Sequence, residues 1–190
     1  MSPEIWISMG SNVGNRFGYL HFALEHLARL GTLQRMSSIY ETEPWGKRDQ
    51  PDFLNAVCSL YGDITSPVQF LDELHRIEME AGRATPNRWG ARTLDLDILF
   101  WGAVICSSPA LIIPHSCLMQ RKFVLVPLAQ IAPDLLHPIT QESMMDLLQR
   151  CPDSSEVRSI AEFHELRTAQ PWKATEGSEA LPNSRRSVCP

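Results

Sequence analysis

The run Arg88-Trp89-Gly90-Ala91-Arg92-Thr93-Leu94-Asp95-Leu96-Asp97-Ile98-Leu99-Phe100 sets two acids inside an apolar, strand-like segment. A strand alternates its side chains between two faces, so Asp95 and Asp97 point the same way. Leu94, Leu96, Ile98 and Phe100 then point the other way, into a core. Two carboxylates this close repel unless a cation lies between them. Mg²⁺ suits such a pair, because it binds one or two carboxylates and completes its shell with water and phosphate oxygens. Arg88 and Arg92 lie just upstream, and guanidinium forks match phosphate. Acids for a metal beside arginines for an anion point to phosphoryl or nucleotidyl transfer. The competing reading is a sheet face half open to water, with the aspartates paired to the arginines.

Other residues add to this chemistry. Phe53 and Asn55 are two apart on a predicted strand. An aromatic ring beside an amide can hold a flat heterocycle, the ring stacking and the amide reading its edge. The plainer alternative is a packed Phe and a turn-capping Asn. Phe123 can supply a second stacking face or simply belong to the core. His75 and Glu78 are one helical turn apart and share a face, as a solvated helix surface also would. His115 follows Pro114, and Arg121 lies shortly after. Near an acid pair, both can grip phosphate oxygens. The turn from Gly10 to Gly14 lacks the Lys-Ser/Thr ending of a Walker loop and is not a dinucleotide fingerprint, so it reads as a structural turn.

The elements that must position these groups follow from pattern. Ile5–Met9 reads as a buried strand, and Leu20, Ala23, Leu24, Leu27 and Leu30 recur at helical spacing up to Gly31. Met36–Tyr40 reads as a second strand and Phe53–Tyr61 as a third, with Leu54, Ala56, Cys58 and Leu60 on one face. Ser66-Pro67-Val68-Gln69 is a helix start. That helix carries Phe70, Leu71, Leu74, Ile77 and Ala81 and stops near Gly82. The acidic strand runs to about Trp101. Gly102–Pro114 holds a turn and a short extended piece. Leu118–Ile131 is apolar at helical spacing despite Pro127, and Ser143–Arg150 is a last short helix. The order strand, helix, strand, strand, helix, strand predicts an α+β, ferredoxin-like βαββαβ core. Its antiparallel sheet has helices packed on one face, with C-terminal additions.

The chain has 190 residues, 44% of them hydrophobic and 21% charged, as one ordinary globular domain would. We expect a single domain over 1–167 and a disordered tail over 168–190, where Pro, Ser, Thr, Glu and Ala replace apolar residues. A net charge of -5 argues against a general nucleic-acid binder. The five cysteines are scattered with no Cys-x-x-Cys pair, so neither a disulfide framework nor a zinc site is favoured. No signal peptide or membrane-spanning run is apparent, and a monomer in a reducing cytoplasm is expected.

Taken together, these segments resemble the 6-hydroxymethyl-7,8-dihydropterin pyrophosphokinase family over roughly residues 5 to 150. The run from Arg88 to Ile98 carries most of the resemblance, with Ala91 where the family usually has proline. Supporting it are Gly10-Ser11-Asn12, Tyr40 to Gly46, Gln50 to Ala56, Gly82-Arg83, Pro114-His115 and Arg121 to Leu125. The resemblance implies that a pterin hydroxymethyl oxygen attacks the β-phosphorus of ATP and releases AMP. It implies two Mg²⁺ ions on Asp95 and Asp97, and Arg83 and Arg92 as loop arginines contacting phosphates. Phe53 and Phe123 would sandwich the pterin, with Asn55 and the segment Thr42, Glu43 and Trp45 reading its edge. His75, Glu78, Arg88, Ile98, His115 and Arg121 would lie along the nucleotide, and Trp89 would shield the closed site. Two departures stand out. Ala84-Thr85-Pro86-Asn87 lacks the basic residue many members carry there, and Ser116 follows the Pro-His pair in place of proline or an aromatic. Two other classes compete: a two-metal nucleotidyl transferase, which leaves Phe53 and Asn55 unexplained, and a nucleotide-sensing module without turnover.

Overall fold

Both long helices begin at residues whose side chains can cap them. In a computed structural model describing residues 2–46, 49–62, 64–83 and 90–162, the Asn15 side chain accepts from the Gly18 N–H at the head of α1 (Arg16–Leu30). Ser66 does the same for the Gln69 N–H at the head of α2 (Pro67–Glu80), with Pro67 at the first helical position. Around them lie β1 (Glu4–Ser11), β2 (Gly31–Met36), β3 (Ile39–Thr42), β4 (Phe53–Gly62) and β5 (Asp95–Trp101). A small hairpin of β6 (Cys106–Ser107) and β7 (Ile112–Ile113) follows, then α3 (Lys122–Ile131), α4 (Met144–Gln149) and β8 (Val157–Ala161).

The main sheet has the order β5-β1-β4-β3-β8, with β2 also paired to β4. Its pairings are antiparallel. This is the ferredoxin-like βαββαβ arrangement, extended by β8 at one edge. The predicted strand over Met36–Tyr40 is in fact the junction of two. Met36 faces Cys58 and Tyr40 faces Asn55, so this edge carries one residue more than β4 opposite it. The buried Ser37 fills the gap, its hydroxyl accepting from the Val57 N–H at 2.9 Å. No periodicity marks β8, whose five residues are mostly exposed.

Helices cover both faces of the sheet, not one. Leu20, Leu24 and Leu27 of α1 and Phe70, Leu74 and Ile77 of α2 close one core against Ile5, Ile7, Met9, Leu54, Ala56, Cys58 and Leu60. Val124, Leu125 and Leu128 of α3, with Met144 and Leu147 of α4, close a second against Trp6, Val57, Leu99 and Phe100. Each fully buried Leu or Ile contributes about 2 kcal/mol, so neither layer is dispensable. Phe100 is therefore not on the face predicted for it. Trp6 faces Phe100 while Ile7 faces Ile98, which leaves Leu99 as the extra residue of a β-bulge. The bulge shifts the alternation by one and sends Leu99 and Phe100 together into the second core. The predicted helix over Leu118–Ile131 is a short 3-10 turn, Leu118–Gln120, then α3, with Arg121 extended between them.

The described cysteines are all unpaired with one another. Among the described residues no helix is long and apolar enough to cross a membrane. The expected tail over 168–190 lies outside the described residues.

Gly31 joins α1 to β2 where the chain crosses the end of β4. A Cβ there would overlap the Tyr61 carbonyl oxygen and crowd the Gly62 Cα, at 2.7 Å. Both are main-chain atoms that cannot rotate away. Gly31→Ala should lower the unfolding free energy by about 2 kcal/mol. Urea denaturation checks this, and an unchanged midpoint would contradict the packing at this corner.

Candidate active site

The site is a stretch of sheet that α3 leaves uncovered. Side chains on one face run Trp6, Ser8, Gly10 along β1, Asn55, Val57 along β4, and Asp95, Asp97, Leu99 along β5. The α3 layer packs on Trp6, Val57 and Leu99. Beyond it, Ser8, Gly10, Asn55, Asp95 and Asp97 line a cleft of about 570 Å³. Gly10 is the hinge of this floor, because it pairs with Asn55 on one side and Asp95 on the other. A Cβ on Gly10 would sit 3.2 Å from Asn55 Oδ1 and 3.9 Å from the Asp95 Cβ. A side chain at this position would press on the Asn55 carboxamide.

Asp95 is the anchor of the cationic side. Arg92 Nη1 lies 2.5 Å from Asp95 Oδ1, and Arg83 Nη1 lies 3.0 Å from the same oxygen. Arg83 also meets the carboxylate of Glu78. Glu78 is buried on α2, and its Oε1 accepts the Leu96 N–H at 2.7 Å. Burial raises its pKa from 4.5 to about 7; Arg83 and the Leu96 N–H oppose the rise, while Asp95 and Asp97 add to it.

Asp97 faces a looser group. Its Oδ2 is 3.7 Å from Arg121 Nη1 and 3.9 Å from His115 Nε2, charged-pair range without a hydrogen bond. Burial raises the Asp97 pKa, the Asp95 carboxylate raises it further, and His115, Arg121 and Arg92 oppose. Burial lowers the His115 pKa, with Asp97 opposing, so the imidazole is neutral at pH 7. The Cys117 N–H donates to His115 Nδ1 at 3.3 Å, which leaves the proton on Nε2, the nitrogen facing Asp97. Arg121 lies over the Trp45 ring at 5.1 Å and the Phe123 ring at 5.7 Å. Among the described residues its buried Nε has no hydrogen-bond partner.

On the other side, the Asn55 side chain donates to Thr42 Oγ1 at 2.7 Å. That bond fixes the carboxamide and leaves Oδ1 toward Gly10. The sequence-derived candidates Arg83, Arg92, Asp95, Asp97, Thr42, Glu43, Trp45, Phe53, Asn55, Phe123, His75, Glu78, His115 and Arg121 all line this one cleft. Ile98 does not. It is 3% exposed in the core under α1 and α2, because strand alternation turns it away from the two aspartates. Arg88 and Trp89 lie outside the described residues. Ser8, Gln50, Leu71 and Cys117 line the cleft as well and were not anticipated. For Ser8 a signal exists, since Ser8 and Gly10 alternate with the buried Ile7 and Met9.

The Glu78 shift has a stability consequence. Its pKa is higher folded than unfolded, so between pH 4.5 and about 7 the folded state holds the extra proton. Stability falls as pH rises through that window, by up to about 3 kcal/mol. Glu78→Gln should flatten this dependence, and its advantage over the parent should grow from pH 4.5 to 7 in urea unfolding. Parallel profiles for the two proteins would contradict the assignment.

Comparison with known proteins agrees with this geometry. The family model described as 7,8-dihydro-6-hydroxymethylpterin-pyrophosphokinase (HPPK) matches residues 6–133. A relative from Haemophilus influenzae, named 2-amino-4-hydroxy-6-hydroxymethyldihydropteridine pyrophosphokinase, is 46% identical over 138 residues, 72% of this chain and 86% of its own length. One of the same name from Pseudomonas aeruginosa is 40% identical over 154 residues, 80% of this chain and 94% of its own. Among solved structures, the HPPK-DHPS protein of Plasmodium falciparum with pteroate superposes at a TM-score of 0.64 with 14% identity. That match covers 79% of this chain and 44% of the other, and it supports the fold. With the matched residues spanning most of the described chain and including every described residue that lines the cleft, the chain belongs to the 7,8-dihydro-6-hydroxymethylpterin-pyrophosphokinase family.

Proposed function

We propose that this cleft transfers pyrophosphate from ATP to 6-hydroxymethyl-7,8-dihydropterin, giving AMP and the pterin diphosphate, a step of folate biosynthesis. One observation carries the reading: two kinds of subsite share one floor. Asp95, Asp97 and three arginines suit a polyphosphate on one side of Gly10. Asn55, Phe53 and Thr42 suit a flat, polar-edged ring on the other. In that reaction the hydroxymethyl oxygen bonds to the β-phosphorus while the bond to the α,β-bridging oxygen breaks.

The donor set fits Mg²⁺ brought with a nucleotide. Among the described residues no group of three or more His, Cys, Asp or Glu side chains could hold a metal ion. The protein offers a pair of carboxylates, and Mg²⁺ takes the rest of its shell from phosphates and water. Asp95 and Asp97 would hold two such ions. When bound they would offset the triphosphate charge and align nucleophile with leaving group. Arg92, and Arg83 from its place beside Glu78, would exchange the Asp95 oxygen for phosphate oxygens, a short move for long side chains. Arg121 brings its unused Nε–H, and His115 its Nε2–H, as cationic and neutral donors to phosphate respectively. His75 and Glu78 line the nucleotide side, where Glu78 holds Leu96 and Arg83 in place. Phe53 and Phe123 would stack on the pterin, and Asn55, Thr42, Glu43 and Trp45 would read its edge. The reading brings with it a monomer acting in the cytoplasm, without nucleic acid, which the net charge of -5 favours.

Purified protein with Mg²⁺, ATP and the pterin should give AMP and pterin diphosphate in equal amounts, and neither without Mg²⁺. Release of inorganic pyrophosphate in place of AMP would mark a nucleotidyl transferase. Nucleotide binding without any product would mark a sensing module. Arg92→Ala should cut turnover on the order of a hundredfold while changing stability by less than about 1 kcal/mol. Unchanged turnover would remove Arg92 from the reaction. Asp97→Ala should abolish Mg²⁺-dependent binding of a non-hydrolysable ATP analogue in calorimetry, and retained metal-dependent binding would move the metal site elsewhere.

A further inference from the structure

Asn12, in the turn after β1, is 1% exposed. A buried carboxamide must satisfy an acceptor and two donors, and here each reaches far along the chain. Its Oδ1 accepts from the Arg92 N–H at 2.6 Å, and its own N–H donates to the Arg92 carbonyl at 3.0 Å. Its Nδ2 donates to the Pro51 carbonyl at 3.1 Å and to Gln50 Oε1 at 3.3 Å. One residue is thus bonded to two separate segments. The first carries Arg92 on the phosphate side of the cleft. The second runs directly into Phe53 on the ring-binding side. Neither segment belongs to a helix or a strand. Arg16 Nη1 supports the second by donating to the Asp52 carbonyl at 2.8 Å.

We propose that Asn12 is a positioning residue that fixes the Arg92 side and the Phe53 side of the cleft in one frame. The proposal rests on the pyrophosphokinase reading given above. Asn12 does not line the cleft and touches no reacting atom. It uses both main-chain polar groups of Arg92, so the Arg92 backbone is held while its guanidinium stays able to leave Asp95 for a phosphate. In-line transfer between two bound substrates needs their subsites registered to well within an ångström. The turn from Gly10 to Gly14 has this long-range task beyond reversing the chain.

Two substitutions separate the arms of the clamp. Asn12→Asp keeps an acceptor for the Arg92 N–H but sets a carboxylate oxygen against the Pro51 and Gln50 oxygens. It should raise the pterin KM about tenfold and lower kcat less. Asn12→Ala removes the side-chain bonds to both segments, keeping only its main-chain N–H to the Arg92 carbonyl, and should lower kcat about tenfold as well. A turn-forming role alone would reduce the yield of folded protein and leave both constants unmoved per folded enzyme, which would overturn the proposal. Hydrogen exchange of the parent tests the clamp without any variant. The Arg92 amide should exchange at least tenfold more slowly than the Gly90 and Ala91 amides. Equal rates would overturn the proposal even if both variants fail to fold. A parent that makes no AMP would refute the reaction instead, and the exchange rates would still decide the clamp.

Discussion

The site is organised by the sharing of one Asp95 oxygen between two guanidinium groups. Arg83 and Arg92 reach it from either end of the segment that separates α2 from β5, at 3.0 and 2.5 Å. Half-buried charges interact more strongly than surface pairs, because less water screens them. The pairing therefore gathers two guanidinium groups on one carboxylate, which on the proposed reading are phosphate ligands beside a metal ligand. The resting contacts are those that substrate binding would replace. Glu78 makes this arrangement possible from beneath. Its buried carboxylate ties Arg83 to the Leu96 main chain, and so joins α2 to the strand that bears both aspartates.

The scaffold explains why these charges tolerate one another. α1 and α2 cover one face of the sheet over β1, β4 and β5, and α3 with α4 covers only part of the other. The uncovered part starts where the bulge at Leu99 ends the regular alternation of β5. On one side of it, Leu99 and Phe100 hold the α3 layer down. On the other, Asp95 and Asp97 point into the cleft. Gly10 removes the one side chain that would separate Asp95 from Asn55. Asp95 and Asp97 on β5 and Asn55 on β4 thereby flank β1 on one face of the sheet, which on the proposed reading sets a phosphate floor beside a heterocycle floor.

Much of this was legible in the sequence where a local rule coincided with a tertiary one. Alternation placed Asp95 and Asp97 on one face, and the Ser66-Pro67 start located α2. The tight spacing of Phe53 and Asn55 put both in the cleft. What stayed illegible depends on contacts between distant segments. The bulge that redirects Phe100 arises from pairing with β1, so the period of β5 alone does not reveal it. The break at Ser37 arises the same way, from an extra residue opposite β4. The short, exposed β8 has no apolar pattern because it adds to an edge and buries little. Ile98 shares a motif with the aspartates, yet lies on the opposite face. Asn12 reads locally as a turn former, and its partners 38 to 80 positions away give no local trace.

On the proposed reading the Asp95–Arg92 contact is the resting form of a metal and phosphate site. The most direct measurement is a crystal structure of the chain with Mg²⁺, a non-hydrolysable ATP analogue and the pterin. Metal density is expected between Asp95 and Asp97, with the Arg92 guanidinium on a phosphate oxygen and no longer on Asp95. A bound nucleotide with no metal at these carboxylates, and Arg92 still on Asp95, would contradict it.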